Sequence, residues 1–190
     1  EALALYGDAL ALARSGNQME AAKRLEAAVV KDPQFAMAEA LLAETYDALG
    51  YGDKAKLAAE KAAEMARHAS PYEMAYLRAV RARIAQDLDS AVKAYAEICD
   101  LIPNSADAFF DLGSVQEQRG DLDLALLSFR KAVSLDPRFT DAHYAVGRVL
   151  VKLGGGAEGI GEFKTALDLN RTAGNDEGAA RVLNGLGRAH

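Results

Sequence analysis

Residues 104–136, NSADAFFDLGSVQEQRGDLDLALLSFRKAVSLD, read as two amphipathic helices joined by a tight turn. In the first half, Phe109, Leu112, Gly113 and Gln116 fall at i, i+3, i+4 and i+7. In the second, Leu122, Ala125, Leu126, Phe129, Ala132 and Val133 make one stripe. Both follow the 3.6-residue helical period, and neither alternates as a strand would. Arg119-Gly120-Asp121 separates them: the glycine supplies a left-handed C-cap, and Asp121 is placed to cap the next helix. Asp136-Pro137 ends the stretch, because proline restricts the residue before it and cannot continue a helix.

The same punctuation recurs at Asp32-Pro33, Ser70-Pro71 and Ile102-Pro103. Ala21, Ala55, Ala91, Ala125 and Gly159 are separated by 34, 36, 34 and 34 residues. Gly16, Gly50, Gln86, Gly120 and Gly154 keep these intervals, as do Ala9, Ala43, Ala79, Gly113 and Gly147. Three small-residue series with one irregular spacing define a repeated helix pair. The small residues let the two helices touch near their turn, and Leu25, Tyr95, Phe129 and Phe163 fill the space between pairs. One pair cannot bury its own apolar face, so the pairs must stack. Alanine makes up a fifth of the chain and there are only 4 prolines, which agrees with an all-α fold.

The pattern Leu112-Gly113, Gly120, Ala125, Phe129, Ala132 and Pro137 resembles the tetratricopeptide repeat. The resemblance implies a right-handed α-solenoid forming one domain over 1–190. Its units are 2–35, 36–71, 72–105, 106–139 and 140–173, followed by a terminal half unit, 176–190. Unit 36–71 is expected to have a lengthened second helix. Unit 72–105 departs most: Arg78 stands at a leucine position and Gln86 at the turn glycine. Its stripe of Leu77, Val80 and Ile84 is rotated from the family register, which predicts a displaced helix.

Composition and charge exclude several functions. The net charge of −6 gives neither half a basic footprint for nucleic acid or anionic membrane. No apolar stretch approaches the roughly 18 residues of a membrane span. Residues 154–159 spell GxGxxG, but they follow a helix rather than a strand, so they read as a repeat turn plus a close-packed glycine. His68, His143 and His190 lack ligand spacing, so no metal and no cofactor are expected. Asp87/Asp89 and Asp121/Asp123 begin second helices, where carboxylates cap and meet the helix dipole. Cys99 reads as a buried hydrophobe, and a lone cysteine favours a reducing, cytoplasmic setting. No catalytic constellation is present.

What remains is the surface. The family lines its concave side with first helices, and the resemblance places Tyr6, Ala40, Tyr76, Phe110, Tyr144 and Asn184 at equivalent positions there. Arg83, Ser114, Glu117, Arg148 and Lys152 are further groove candidates. Glu44, Asp47, Glu73, Asp107 and Glu117 would make the early and middle groove acidic, and Arg148, Lys152, Arg181 and Arg188 the late groove basic. The family's chaperone-binding members clamp a C-terminal carboxylate with Lys, Asn and Arg, but the matching first-unit positions here hold Tyr6 and Leu10. The expected function is a non-catalytic scaffold that binds a protein or peptide. The alternatives are self-assembly into homo-oligomers through the terminal repeats, or a sensory or regulatory segment of a larger bacterial signalling protein, such as a kinase or transcription regulator.

Overall fold

The computed structural model describes residues 1–66 and 69–189, with side chains through residue 187. His68, His190 and the side chain of Arg188 lie outside the described residues. The first-half helices of the repeats are α1 (Ala2–Arg14), α3 (Ala36–Ala48), α5 (Pro71–Ile84), α7 (Ala106–Arg119), α9 (Thr140–Lys152) and α11 (Asp176–Ala189). The second-half helices are α2 (Gln18–Lys31), α4 (Gly52–Glu64), α6 (Leu88–Leu101), α8 (Leu122–Leu135) and α10 (Gly156–Thr172). No strand occurs among the described residues, so the fold is all-α helical repeats.

One backbone device makes every tight turn. Gly16, Gly50, Gly120, Gly154 and Gly174 have φ between 68 and 92°, and Gln86 joins them at 60°. In each turn, the amide after this residue donates to the carbonyl five positions before it; Asp121 to Gln116 (2.9 Å) and Asp87 to Ala82 (2.9 Å) are examples. This 6→1 bond is that of a Schellman cap. Asp121 does not cap α8 through its side chain. Its carboxylate instead accepts from Arg119 Nε at 2.5 Å, a charged donor that outcompetes the backbone amide. Asp87 does cap, accepting the Ser90 amide at 3.1 Å.

The chain forms two compact units, Glu1–Ile98 and Cys99–His190. The core of the first is built largely of alanine: Ala55, Ala58, Ala59 and Ala62 of α4 pack with Leu25 of α2, Leu42 and Tyr46 of α3 and the α5 stripe. That stripe, Leu77, Val80 and Ile84, is buried. α4 is not lengthened. It stops at Glu64, and the additional residues of this repeat follow it, before Ser70 and Glu73 form a reciprocal capping box that starts α5.

In the second unit, Phe129 and Phe163 are buried cores of successive repeats. A Cβ on Gly113 would lie 2.8 Å from the Phe129 ring, and one on Gly147 would lie 2.8 Å from the Phe163 ring. A Cβ on Gly159 would meet the Gly147 carbonyl at 2.8 Å, so this glycine is an obligate contact. Cys99 is buried; desolvation, with Asp100 and Asp111 adding to it, pushes its thiol up to about 11.

Candidate binding face

In the first compact unit, Glu44 on α3 is the hub of the first-helix face. Its carboxylate accepts from the Tyr76 hydroxyl at 2.5 Å and from Arg83 at 3.1 Å, both on α5. Arg83 also reaches Asp47 at 3.3 Å and is bonded to Tyr95 on α6. Burial opposes the Arg83 charge, but Glu44, Tyr95 and Asp47 outweigh it and hold the guanidinium more firmly protonated than usual. Burial and then Glu44 raise the Tyr76 phenol well above its ordinary range.

Tyr6 lies against Phe35, ring centroids 5.1 Å apart. Its phenol is raised by burial, then by Tyr72 and Glu44. Tyr72 stacks on Tyr76, with centroids 6.3 Å apart and planes 15° from parallel. Position 40, an alanine, is fully buried and contributes no ring.

In the second compact unit the hub is Glu117 on α7, whose side chain is 8% exposed. It accepts from Arg148 at 2.5 Å and from Lys152 at 2.7 Å, both on α9. Arg148 and Arg181 both lie over the Tyr144 ring, at 5.6 and 5.2 Å from its centroid, in cation–π range. Arg181 also pairs with Asp141. The Arg148 Nε is buried with no acceptor among the described residues.

The two rings of this unit also pack against its core. Tyr144 packs on Phe163 at 5.4 Å, and Phe110 on Phe129 at 5.5 Å and Phe139 at 4.9 Å. The Ser114 hydroxyl donates to the Phe110 carbonyl of its own helix at 2.9 Å, so it is engaged locally. Asn184 is exposed on α11.

The hubs redistribute the charge expected along the face. Glu44 and Asp47 are matched by Arg83; Arg148 and Lys152 are matched by Glu117; Glu73 is consumed in the α5 cap. An acidic early end and a basic late end are therefore largely neutralised within each unit. Sequence reasoning missed Tyr72, although it lies one helical turn before Tyr76 on the same stripe.

His143 is buried on α9, with Nδ1 2.6 Å from Glu162 and Nε2 3.1 Å from the Pro137 carbonyl. No group of three metal-ligating side chains occurs among the described residues. None of their helices is long and apolar enough to cross a membrane.

A family model described as TPR repeat matches residues 118–154. Among similar solved structures is TTC0263, a thermophilic TPR protein of Thermus thermophilus. It is 18% identical, has a TM-score of 0.74, and the match covers 98% of this chain and 99% of that one. YrrB, described as a TPR protein with an unusual peptide-binding site, is 20% identical with a TM-score of 0.58, covering 97% and 92%. The TPR2AB domain of yeast Sti1, in a complex with pHSP90, is 18% identical with a TM-score of 0.59, covering 100% and 85%. These likenesses show the fold. Comparison with curated proteins returns no match.

Proposed function

Because this chain is a tetratricopeptide-repeat protein, we propose that it is a binding module for a protein or peptide partner and carries no catalysis of its own. The repeats 2–35, 36–71, 72–105, 106–139 and 140–173, with the half unit 176–190, are proposed to act as one domain. The observation that carries the reading is the fixing of the first-helix side chains before any partner arrives. Glu117 holds Arg148 and Lys152, and Arg148 and Arg181 both lie over the Tyr144 ring. A face whose long side chains are already ordered loses less entropy when a ligand lands on it. The similar YrrB and Sti1 structures, described with a peptide-binding site and a bound pHSP90, support a peptide as the ligand class.

Selection of a displayed peptide library on the whole chain tests this. Peptides selected on the wild type should lose at least about 1 kcal/mol of affinity on Tyr144→Ala and on Phe110→Ala, the scale of an interface anchor. Tyr144→Ala is the cleaner variant, since Phe110 also packs against Phe129 and Phe139. Undiminished binding by both variants, with helicity retained, would mean that the rings only pack. A second reading, self-association through terminal helices, is favoured by Leu3, Val30 and Leu183, which are 72%, 76% and 49% exposed. A molar mass independent of concentration in light scattering would remove it.

A further inference from the structure

α11 carries the chain's one Asn-Gly pair, Asn184-Gly185. The other asparagines, Asn17, Asn104, Asn170 and Asn175, precede Gln18, Ser105, Arg171 and Asp176, whose side chains crowd the amide that follows. Glycine has no Cβ, so its main-chain nitrogen is open to the side chain before it and its backbone turns freely. Asn184 is exposed on α11. By contrast, the buried Asn170 donates to the Ala166 carbonyl at 3.0 Å, and the Asn175 carboxamide accepts the Gly178 amide at 2.9 Å.

The same glycine is a packing residue. A Cβ at Gly185 would lie 3.0 Å from the Tyr144 ring and 3.3 Å from the Phe163 ring, so the α11 backbone rests directly on both. Val182, fully buried, and Leu186, partly buried, join the cluster of Phe163, Ala166 and Leu167. While α11 is closed, the Gly185 amide donates to the carbonyl four residues earlier, as helical amides do, and cannot attack. Reaction needs this turn to open. α11 docks along one side, on α10 and α9, and elements held by few buried contacts open far more readily than the whole molecule unfolds.

We infer that Asn184-Gly185 is a deamidation site gated by the opening of α11, and that its modification keeps α11 from closing again. When the turn opens, the Gly185 nitrogen attacks Asn184 Cγ. The new C–N bond closes a succinimide, the bond from Cγ to Nδ2 breaks, and Nδ2 leaves with the amide proton as ammonia. Water then adds to one of the two ring carbonyls. Cleavage at the main-chain carbonyl leaves the peptide running through the β-carboxyl as isoaspartate; cleavage at the other leaves aspartate. Isoaspartate lengthens the main chain by one carbon, so Gly185 and Leu186 lose their helical register with Val182. The three can then no longer meet the Tyr144 and Phe163 rings together. Either product also puts a carboxylate one turn from Arg181, which is paired with Asp141. Tyr144 belongs to the proposed binding face, but the chemistry does not depend on that reading.

The test is to age the whole chain at neutral pH, in buffer and in urea, and to map its peptides by mass spectrometry with fragmentation that distinguishes isoaspartate. In buffer, Asn184 should convert before the other four asparagines, and more slowly than it does in urea. Val182→Ala, which weakens the docking of α11, should raise the rate in buffer about ten-fold, the scale of a buried truncation, and leave the rate in urea unchanged. Leu186→Ala serves the same purpose if the first variant loses its helical circular dichroism. Amides of residues 176–187 should exchange hydrogen faster in the converted chain, with those of α8 unchanged. Another asparagine converting first, equal rates in buffer and urea, an unchanged rate in the weakened variant, or unaltered exchange over 176–187 after conversion would each overturn the assignment.

Discussion

Gln86 occupies a backbone conformation that the other tight turns give to glycine, φ 60°. A Cβ in the left-handed region costs about 1–2 kcal/mol. The bond from Gln86 Nε2 to the Arg83 carbonyl, 3.2 Å, offsets part of that. Glycine would relieve the strain while adding freedom to the unfolded chain, about 0.4–1 kcal/mol in the opposite sense. Gln86→Gly should therefore stabilise the protein by about 0.5 kcal/mol, seen as a higher urea midpoint at unchanged slope. A lower midpoint would mean that the side-chain bond outweighs the strain.

The buried phenols make a second statement at this scale. Burial first, then the hydrogen bond to Glu26 for Tyr46 and the charge of Glu44 for Tyr76, raises both phenols above their ordinary range. The fold thus favours their protonated form. That stability is fully present below the unfolded value of about 10 and is lost as pH rises beyond it toward the raised folded values. Alkaline urea titrations should show the decline, and Tyr46→Phe with Tyr76→Phe should flatten it. An equal decline in the double variant would assign the alkaline loss to other groups.

Among the helices, α10 opens with the densest run of glycine, and its members have opposite roles. Gly159 touches the Gly147 carbonyl, whereas a Cβ added at Gly161 would find nothing within 4 Å. Gly161→Ala should then stabilise by up to about 1 kcal/mol through helix propensity. Gly159→Ala should destabilise, because α9 and α10 must part to admit a methyl group. Thermal unfolding of the two variants in parallel would measure this, and shifts of the same sign would break the argument. The repeat period, the turn positions and the buried stripe of α5 were legible in the sequence because each is set by local backbone demands or by contact between two adjacent helices. The end of α4 was not, since alanine, glutamate and methionine permit a helix to continue past Glu64 and no residue there forbids it. Nor were the hubs at Glu44 and Glu117. Their partners are long side chains on a neighbouring helix, and the choice between pairing and facing solvent depends on rotamers that spacing does not encode.

At the scale of the molecule, each compact unit has its own core, and in the first of them small side chains predominate. Stability in such repeats is approximately a sum of terms from units and their nearest neighbours, so no single central cluster holds the chain together. The all-α class followed from composition and period alone, whereas the chemistry of the faces depended on which side chains met. The carboxylate partners of Tyr46 and Tyr76 also have an optical consequence. The chain has 7 tyrosines and no tryptophan, so tyrosine dominates its ultraviolet emission. A phenol bonded to a carboxylate, as these two are at 2.6 and 2.5 Å, gives up its proton on excitation and emits little as a phenol. The native molecule should accordingly be dimmer than its unfolded form, and Glu44→Gln should brighten it without unfolding it. A native emission equal to the unfolded one would count against these bonds in solution. If they hold, any partner that draws Glu44 away from Tyr76 will announce itself as light, with no dye attached.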